Sequence, residues 1–154
     1  MKISKSIITV IIIVAGLLPI MAGCSVITGA SPTPPVTDTN TTTALRNVSV
    51  EYAHAMIQAN RGRPDFTILD VRTPGEYDSG HIEGAVNINF EATDFKDQVN
   101  KLEKAKSYLV YCRTGARSAA ASEVMVGLDF HHVFNMTGGI SNWEAAGYPV
   151  VKSS

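Results

Sequence analysis

Cysteine is scarce: Cys24 and Cys112 are the only two in 154 residues. That is too few for a disulfide framework, and their separation excludes the Cys-x-x-Cys spacing of a thioredoxin-like redox centre. No cluster of cysteine and histidine with zinc-ligand spacing is present, so no metal is expected. Neither sign of charge dominates. Thirteen Lys and Arg stand against 14 Asp and Glu, a formal net charge of -1, and nothing basic enough to argue for nucleic acid. There is no internal repeat. Nor is there an apolar run of the about twenty residues that a membrane-spanning helix needs.

What is present is unevenly spread. Lys2 and Lys5 precede an apolar run, Ile7 to Met21, of about fifteen residues. A short basic segment before such a run reads as an export signal, with an uncleaved anchor as the alternative. The segment ends in Met-Ala-Gly-Cys-Ser, Met21 to Ser25. Small residues before a cysteine resemble the lipobox of prokaryotic lipoproteins, with Met21 where leucine is usual. The resemblance implies cleavage of residues 1–23 and a lipid on Cys24, which would anchor the chain at the exported face of a cell-envelope membrane. Each buried CH₂ of the lipid adds about 0.8 kcal/mol to that anchorage. Cys112 is then the only free thiol, and losing Lys2 and Lys5 takes the formal charge from -1 to -3.

Residues 24–46 are rich in serine, threonine and proline and read as a disordered tether. Asn40, Asn47 and Asn135 begin Asn-x-Ser/Thr sequons, which are read as chance. Residues 47–151 are enough for one compact core, followed by a tail, 152–154. Helical patterns at Ser49–Gly62, Asp94–Lys104, Arg117–Phe130 and Ile140–Gly147 alternate with short strand-forming runs. Those runs are Asp65–Val71, Ala85–Phe90, Ser107–Cys112 and His131–Met136. Such alternation predicts an α/β layered domain with a mainly parallel central sheet.

Ligands of such sheets sit at the carboxyl ends of the strands. Cys112 lies at that end of a predicted central strand, and Arg113, Thr114, Gly115, Ala116 and Arg117 lead towards a helix starting near Arg117 or Ser118. A tight turn there points backbone N–H groups inward as an anion nest. The helix N-terminus and both arginines add positive potential. These terms favour thiolate over thiol and lower a cysteine pKa. The competing reading is a buried core cysteine at a strand end.

Three blocks resemble the rhodanese family. Asp70 to Ile88 is similar to its first signature, Cys112 to Ser118 to its active-site loop, and Gly138 to Val150 to its closing segment. The blocks fall in the family's order and span nearly the whole domain. Glu83 stands where the family usually has proline. The resemblance implies a single three-layer rhodanese-like domain, with helices on both faces of the sheet, and a sulfurtransferase activity. Cys112 takes the place of the persulfide-carrying cysteine. It would accept sulfur from a small anionic donor such as thiosulfate and pass it to cyanide or a thiol. The backbone amides of Arg113 to Ser118 would bind the anion, and no cofactor is required. A persulfide carrier or sulfide-binding module serving a partner protein shares the same loop. Related phosphatases place five residues between cysteine and arginine; here four, Arg113 to Ala116, separate Cys112 from Arg117, as in the sulfur-transferring form.

Other residues are weighed against plain structural roles. Asp70 and Arg72 either support the loop as an ion pair or hold the turn before Pro74, with the structural reading preferred. Glu76 is read likewise, with a loop arginine as its possible partner. His81 is expected to make a structural hydrogen bond rather than serve Cys112 as a base. Trp143 is expected in the core.

Overall fold

A computed structural model describes residues 44–153. The signal segment, Cys24 and most of the tether lie outside the described residues. The elements are β1 Leu45–Val48, α1 Val50–Ala59, β2 Phe66–Asp70, α2 Pro74–Ser79, β3 Val86–Asn87, α3 Phe95–Asn100, β4 Ser107–Tyr111, α4 Ala116–Gly127, β5 His132–Met136 and α5 Gly139–Ala145. The five strands form one sheet in the order β1-β5-β4-β2-β3, and every pairing within it is parallel. Parallel strands require crossovers, so all their carboxyl ends share one edge. The strand that ends at Tyr111, immediately before Cys112, is β4, the central one.

Side chains of a strand alternate between faces, and both faces of this sheet are covered. Tyr108, Val110 and Cys112 of β4 and the turn after it pack with Leu69 and Val71 against Phe95 and Val99 of α3 and Ala121 and Met125 of α4. The intervening Leu109 and Tyr111 pack with Ile68 against Val50 and Ala53 of α1 and Ile140 and Trp143 of α5. The result is the α/β layering expected from the alternating pattern, in the three-layer form that the family resemblance implied. The central strand is apolar on both faces because water reaches neither.

Several boundaries differ from the sequence reading. The composition places the end of the tether at residue 46, yet Leu45 and Arg46 belong to β1, which pairs with β5 from Leu45↔Val133 to Val48↔Met136. Two of its four residues are exposed at the sheet edge, so the stretch carries no strand periodicity. Helix α1 starts where Ser49 predicts, with the Tyr52 N–H donating to the Ser49 hydroxyl at 3.3 Å. It ends at Ala59 and not at Gly62, which instead takes a left-handed turn (φ 76°). β3 shrinks to Val86–Asn87, because the backbone of Ile88 and Phe90 turns to the carbonyls of Asp70 and Val71. The six-residue α2 has no counterpart among the helical patterns of the sequence. Thr73 and Glu76 cap it reciprocally, as a capping box with proline at its first position. At the other end, Val151 bridges antiparallel to His81, so the tail begins after it.

Candidate active site

Cys112 is 1% exposed, on the α3–α4 face of the sheet edge, immediately after β4. The chain then turns sharply. Gly115 has φ 102° and serves as N-cap of α4, which starts at Ala116, a residue earlier than the sequence suggested. Only glycine adopts that angle without strain. The turn brings the Gly115 N–H onto the Cys112 sulfur at 3.1 Å.

The outer side of the same turn is held by α5. The N–H groups of Ile140 and Ser141 donate to the carbonyls of Cys112 and Arg113 at 2.9 and 3.1 Å. With those carbonyls tied outward, the amides of the loop face the sulfur. The approach is close enough to require glycine at 139. A Cβ there would collide with the Cys112 carbonyl oxygen and stand 2.5 Å from that of Arg113. The Gly138-Gly139 pair before a helix was the available signal for this clamp. Its target, some 26 residues earlier in the chain, was not legible.

Burial pushes the Cys112 thiol pKa up, but the N–H and hydroxyl of Ser118, with the N–H groups of Gly115 and Thr114, outweigh it and hold the thiol below its ordinary value. The positive end of α4 acts in the same direction. A sulfur poised in this way needs no separate base. His81 is not one: its Nδ1 is 2.9 Å from the Tyr77 carbonyl, its ring stacks on Tyr77, and its backbone is paired with Val151.

The two loop arginines have different surroundings. Arg117 donates through Nη1 and Nη2 to both carboxylate oxygens of Glu76, at 2.8 Å each. Its Nη1 also lies 3.7 Å from Glu91, a neighbour that the sequence did not reveal. Glu76 is itself held by the N–H and hydroxyl of Thr73. The Arg117 guanidinium, opposed by partial burial and helped by Thr73, brings the Glu76 carboxyl down to about 2, while the Arg117 pKa is raised. Arg117 is therefore a clamp between α4 and α2, its charge already balanced. Arg113 is exposed, as are Thr114 and Ala116.

Asp70 and Arg72 lie on the neighbouring strand end, 0% and 5% exposed. Arg72 reaches both oxygens of Asp70, and its Nη2 also donates to the Gly80 carbonyl at 2.7 Å. The Arg72 N–H donates back to Asp70 at 2.9 Å. The pair is closed on itself and on the end of α2, and neither residue hydrogen-bonds to the Cys112 loop. Trp143 is a core residue whose indole N–H donates to the Pro149 carbonyl at 2.9 Å. Among the described residues no three His, Cys, Asp or Glu side chains are grouped to hold a metal ion.

The comparisons with known proteins agree with this fold. Residues 49–146 match the family model described as a rhodanese-like domain. Thiosulfate sulfurtransferase 16, chloroplastic, of Arabidopsis thaliana is 32% identical, over 67% of this chain and 90% of its own length. A sulfurtransferase of Allochromatium vinosum is 31% identical, over 56% of this chain and 79% of its own. Among solved structures, a rhodanese-related protein from Thermoplasma volcanium superposes with a TM-score of 0.60 at 35% identity, covering 70% of this chain and 99% of that one.

Proposed function

The chain belongs to the rhodanese-like family, and from that premise we propose that it is a sulfurtransferase working through a persulfide on Cys112. It takes a sulfane sulfur from a small anionic donor such as thiosulfate and passes it to a thiophilic acceptor, cyanide or a thiol. The observation that carries this reading is the Cys112 sulfur itself, buried at the end of the central strand with the Gly115 N–H aimed at it from 3.1 Å. The Cys112 thiolate attacks the outer sulfur of thiosulfate. An S–S bond forms at Cys112, the S–S bond of the donor breaks, and sulfite leaves with the electron pair. Cyanide then attacks the outer sulfur of the persulfide, thiocyanate leaves, and the Cys112 thiolate is restored. This is covalent catalysis in two displacements. The negative charge passes from the cysteine sulfur to the outer sulfur and back, and inward-facing amides stabilise it at each stage. No metal or organic cofactor is used.

The spacing supports sulfur over phosphoryl transfer, since four residues between Cys112 and Arg117 leave a narrow loop. Arg117 is engaged by Glu76, which leaves Arg113 as the loop arginine for drawing in an anion. The apolar run and the cysteine of Met21 to Ser25 support export and anchorage at the cell-envelope membrane through a lipid on Cys24. Loss of partition into detergent in Cys24→Ser would be the matching result for that anchor, and unchanged partition would contradict it. For the chemistry, protein given thiosulfate and cyanide should release thiocyanate and sulfite in equal amounts, and Cys112→Ser should release none. Rapid loading with slow thiocyanate release would instead mark a persulfide carrier serving a partner protein. Folded protein that neither loads nor turns over would overturn the reading.

A further inference from the structure

The loop that holds Cys112 is bordered by more carboxylates than free cations. Arg117 is already engaged by both carboxylate oxygens of Glu76, at 2.8 Å each. A second carboxylate, Glu91, stands 3.7 Å from the same guanidinium, too far for a hydrogen bond, and is exposed. Its place is set by the backbone. The Phe90 N–H donates to the Val71 carbonyl at 3.1 Å, and the Glu91 N–H donates to Oδ1 of Asn89 at 3.0 Å. Phe90 itself packs against the apolar cluster that includes Cys112. Elsewhere along the loop, a depression of about 270 Å³ lies between α2 and α5, and its charged lining is Arg72, Glu76, Arg113 and Glu144. Ser141 of α5 donates its N–H to the Arg113 carbonyl at 3.1 Å, and Glu144 follows three residues later on the same side of that helix. Among the described residues the Glu91 and Glu144 carboxylates accept no hydrogen bond.

Arg72 is cancelled by Asp70. That leaves two arginines, Arg113 and Arg117, against three carboxylates, Glu76, Glu91 and Glu144, a formal charge of -1 around the loop before Cys112 ionises. The loop amides and the N-terminus of α4 are fixed dipoles suited to one negative charge at the sulfur. When the outer sulfur of a donor enters the loop, the rest of the donor stays at the mouth, among Glu91 and Glu144. Thiosulfate brings two negative charges, so one of them has to face these carboxylates. An organic thiosulfonate brings a single charge, which the loop dipoles take.

We propose that Glu91 and Glu144 are specificity-determining residues that set the loop against doubly charged donors, so that the preferred sulfur source is a singly charged organic sulfane donor. The inference rests on the persulfide reading of Cys112. With a thiosulfonate the displacement has the same form. The Cys112 thiolate attacks the outer sulfur, an S–S bond forms, the S–S bond of the donor breaks, and a sulfinate leaves with the electron pair. Two negative charges stand on each side of the step.

Methanethiosulfonate and thiosulfate test this, because they differ by a methyl group in place of one charged oxygen. The rate of Cys112 loading by each is followed by intact mass. The two differ in intrinsic reactivity, so the quantity read is the change in their ratio. Glu91→Gln or Glu144→Gln should each raise the thiosulfate rate relative to methanethiosulfonate about threefold at low ionic strength. The double variant should raise it about ninefold. Added salt should raise the same ratio in the wild type and should not raise it in the double variant, since screening relieves a repulsion only where one exists. Small anions that compete for the loop slow both donors and cancel in the ratio. Both substitutions are conservative and lie at exposed positions, so the thermal midpoint should stay in place. If either substitution leaves the ratio where it was, or salt lowers it in the wild type, the proposal is overturned while the persulfide reading stands. Loading by neither donor would instead bring down the persulfide reading, and the proposal with it.

Discussion

The carboxyl ends of β2 and β4 are neighbours in one sheet, and each gathers ionisable groups, yet they are built for different ends. At β2 the charges are matched. Asp70 receives Arg72 through side chain and backbone, Arg72 spends its remaining reach on the Gly80 carbonyl, and both are buried. At β4 the donors converge on a single sulfur that has no counter-ion in hydrogen-bond contact. One corner satisfies a charge and the other waits for one. Proximity of charged residues to a strand end does not itself mark chemistry in a parallel sheet. What marks it is a set of fixed donors aimed at an atom that can become an anion.

Breaking each corner should therefore give a different symptom. The largest stability effect is expected at β2. Asp70→Asn leaves the Arg72 charge buried without its partner and should cost about 3–5 kcal/mol in urea unfolding. The Cys112 alkylation midpoint of the folded fraction should stay where it was. A shifted midpoint at unchanged stability would reverse the assignment of the two corners. Next comes the clamp behind the β4 loop. Gly139→Ala puts a Cβ against the Cys112 and Arg113 carbonyls at a left-handed position (φ 57°). It should cost ~2–4 kcal/mol and raise the thiol midpoint as well, since the loop amides lose their aim. Loss of stability with an unmoved midpoint would mean that α5 does not orient the loop.

Glu76→Gln should have a smaller effect, about 1–2 kcal/mol at neutral pH, from the loss of a half-buried bidentate pair. Its pH signature is more telling. The folded pKa of Glu76, about 2, lies below its ordinary 4.5. The pair's contribution is thus present in full above about 4.5 and fades as pH falls towards about 2. Wild type should lose that stability across the window, and Glu76→Gln should lack this part of the slope. The smallest change is expected from Arg113→Ala. An exposed charge is worth at most about 1 kcal/mol, so KM for thiosulfate should rise by no more than ~5-fold, with kcat and thermal midpoint unmoved. A fall in kcat would place Arg113 in the chemical step.

The α/β layering was legible because strands such as Ser107–Tyr111 are largely apolar, while the intervening segments carry helix-forming patterns and caps such as Ser49. β1 was not, since Arg46 and Asn47 are exposed on an edge strand. α2 hid behind a proline and a glycine, and only its capping box explains why six residues hold. In the loop, the turn at Gly115 and the placement of Cys112 could be read from local chemistry. The pairing of Glu76 with a loop arginine was legible, though not which arginine it would be. The grip of α5 on the loop carbonyls and the Ser118–Asn135–Asn47 hydrogen-bond chain could not be placed by spacing alone. Each joins residues far apart in sequence, 88 positions apart for Asn135 and Asn47.

The most direct test is the mass of the intact protein after incubation with thiosulfate, followed by peptide mapping. The account predicts one added sulfur atom, located on Cys112, removed by cyanide and absent from a folded Cys112→Ser variant. Folded wild-type protein that gains no sulfur, or gains it equally in the variant, would contradict it.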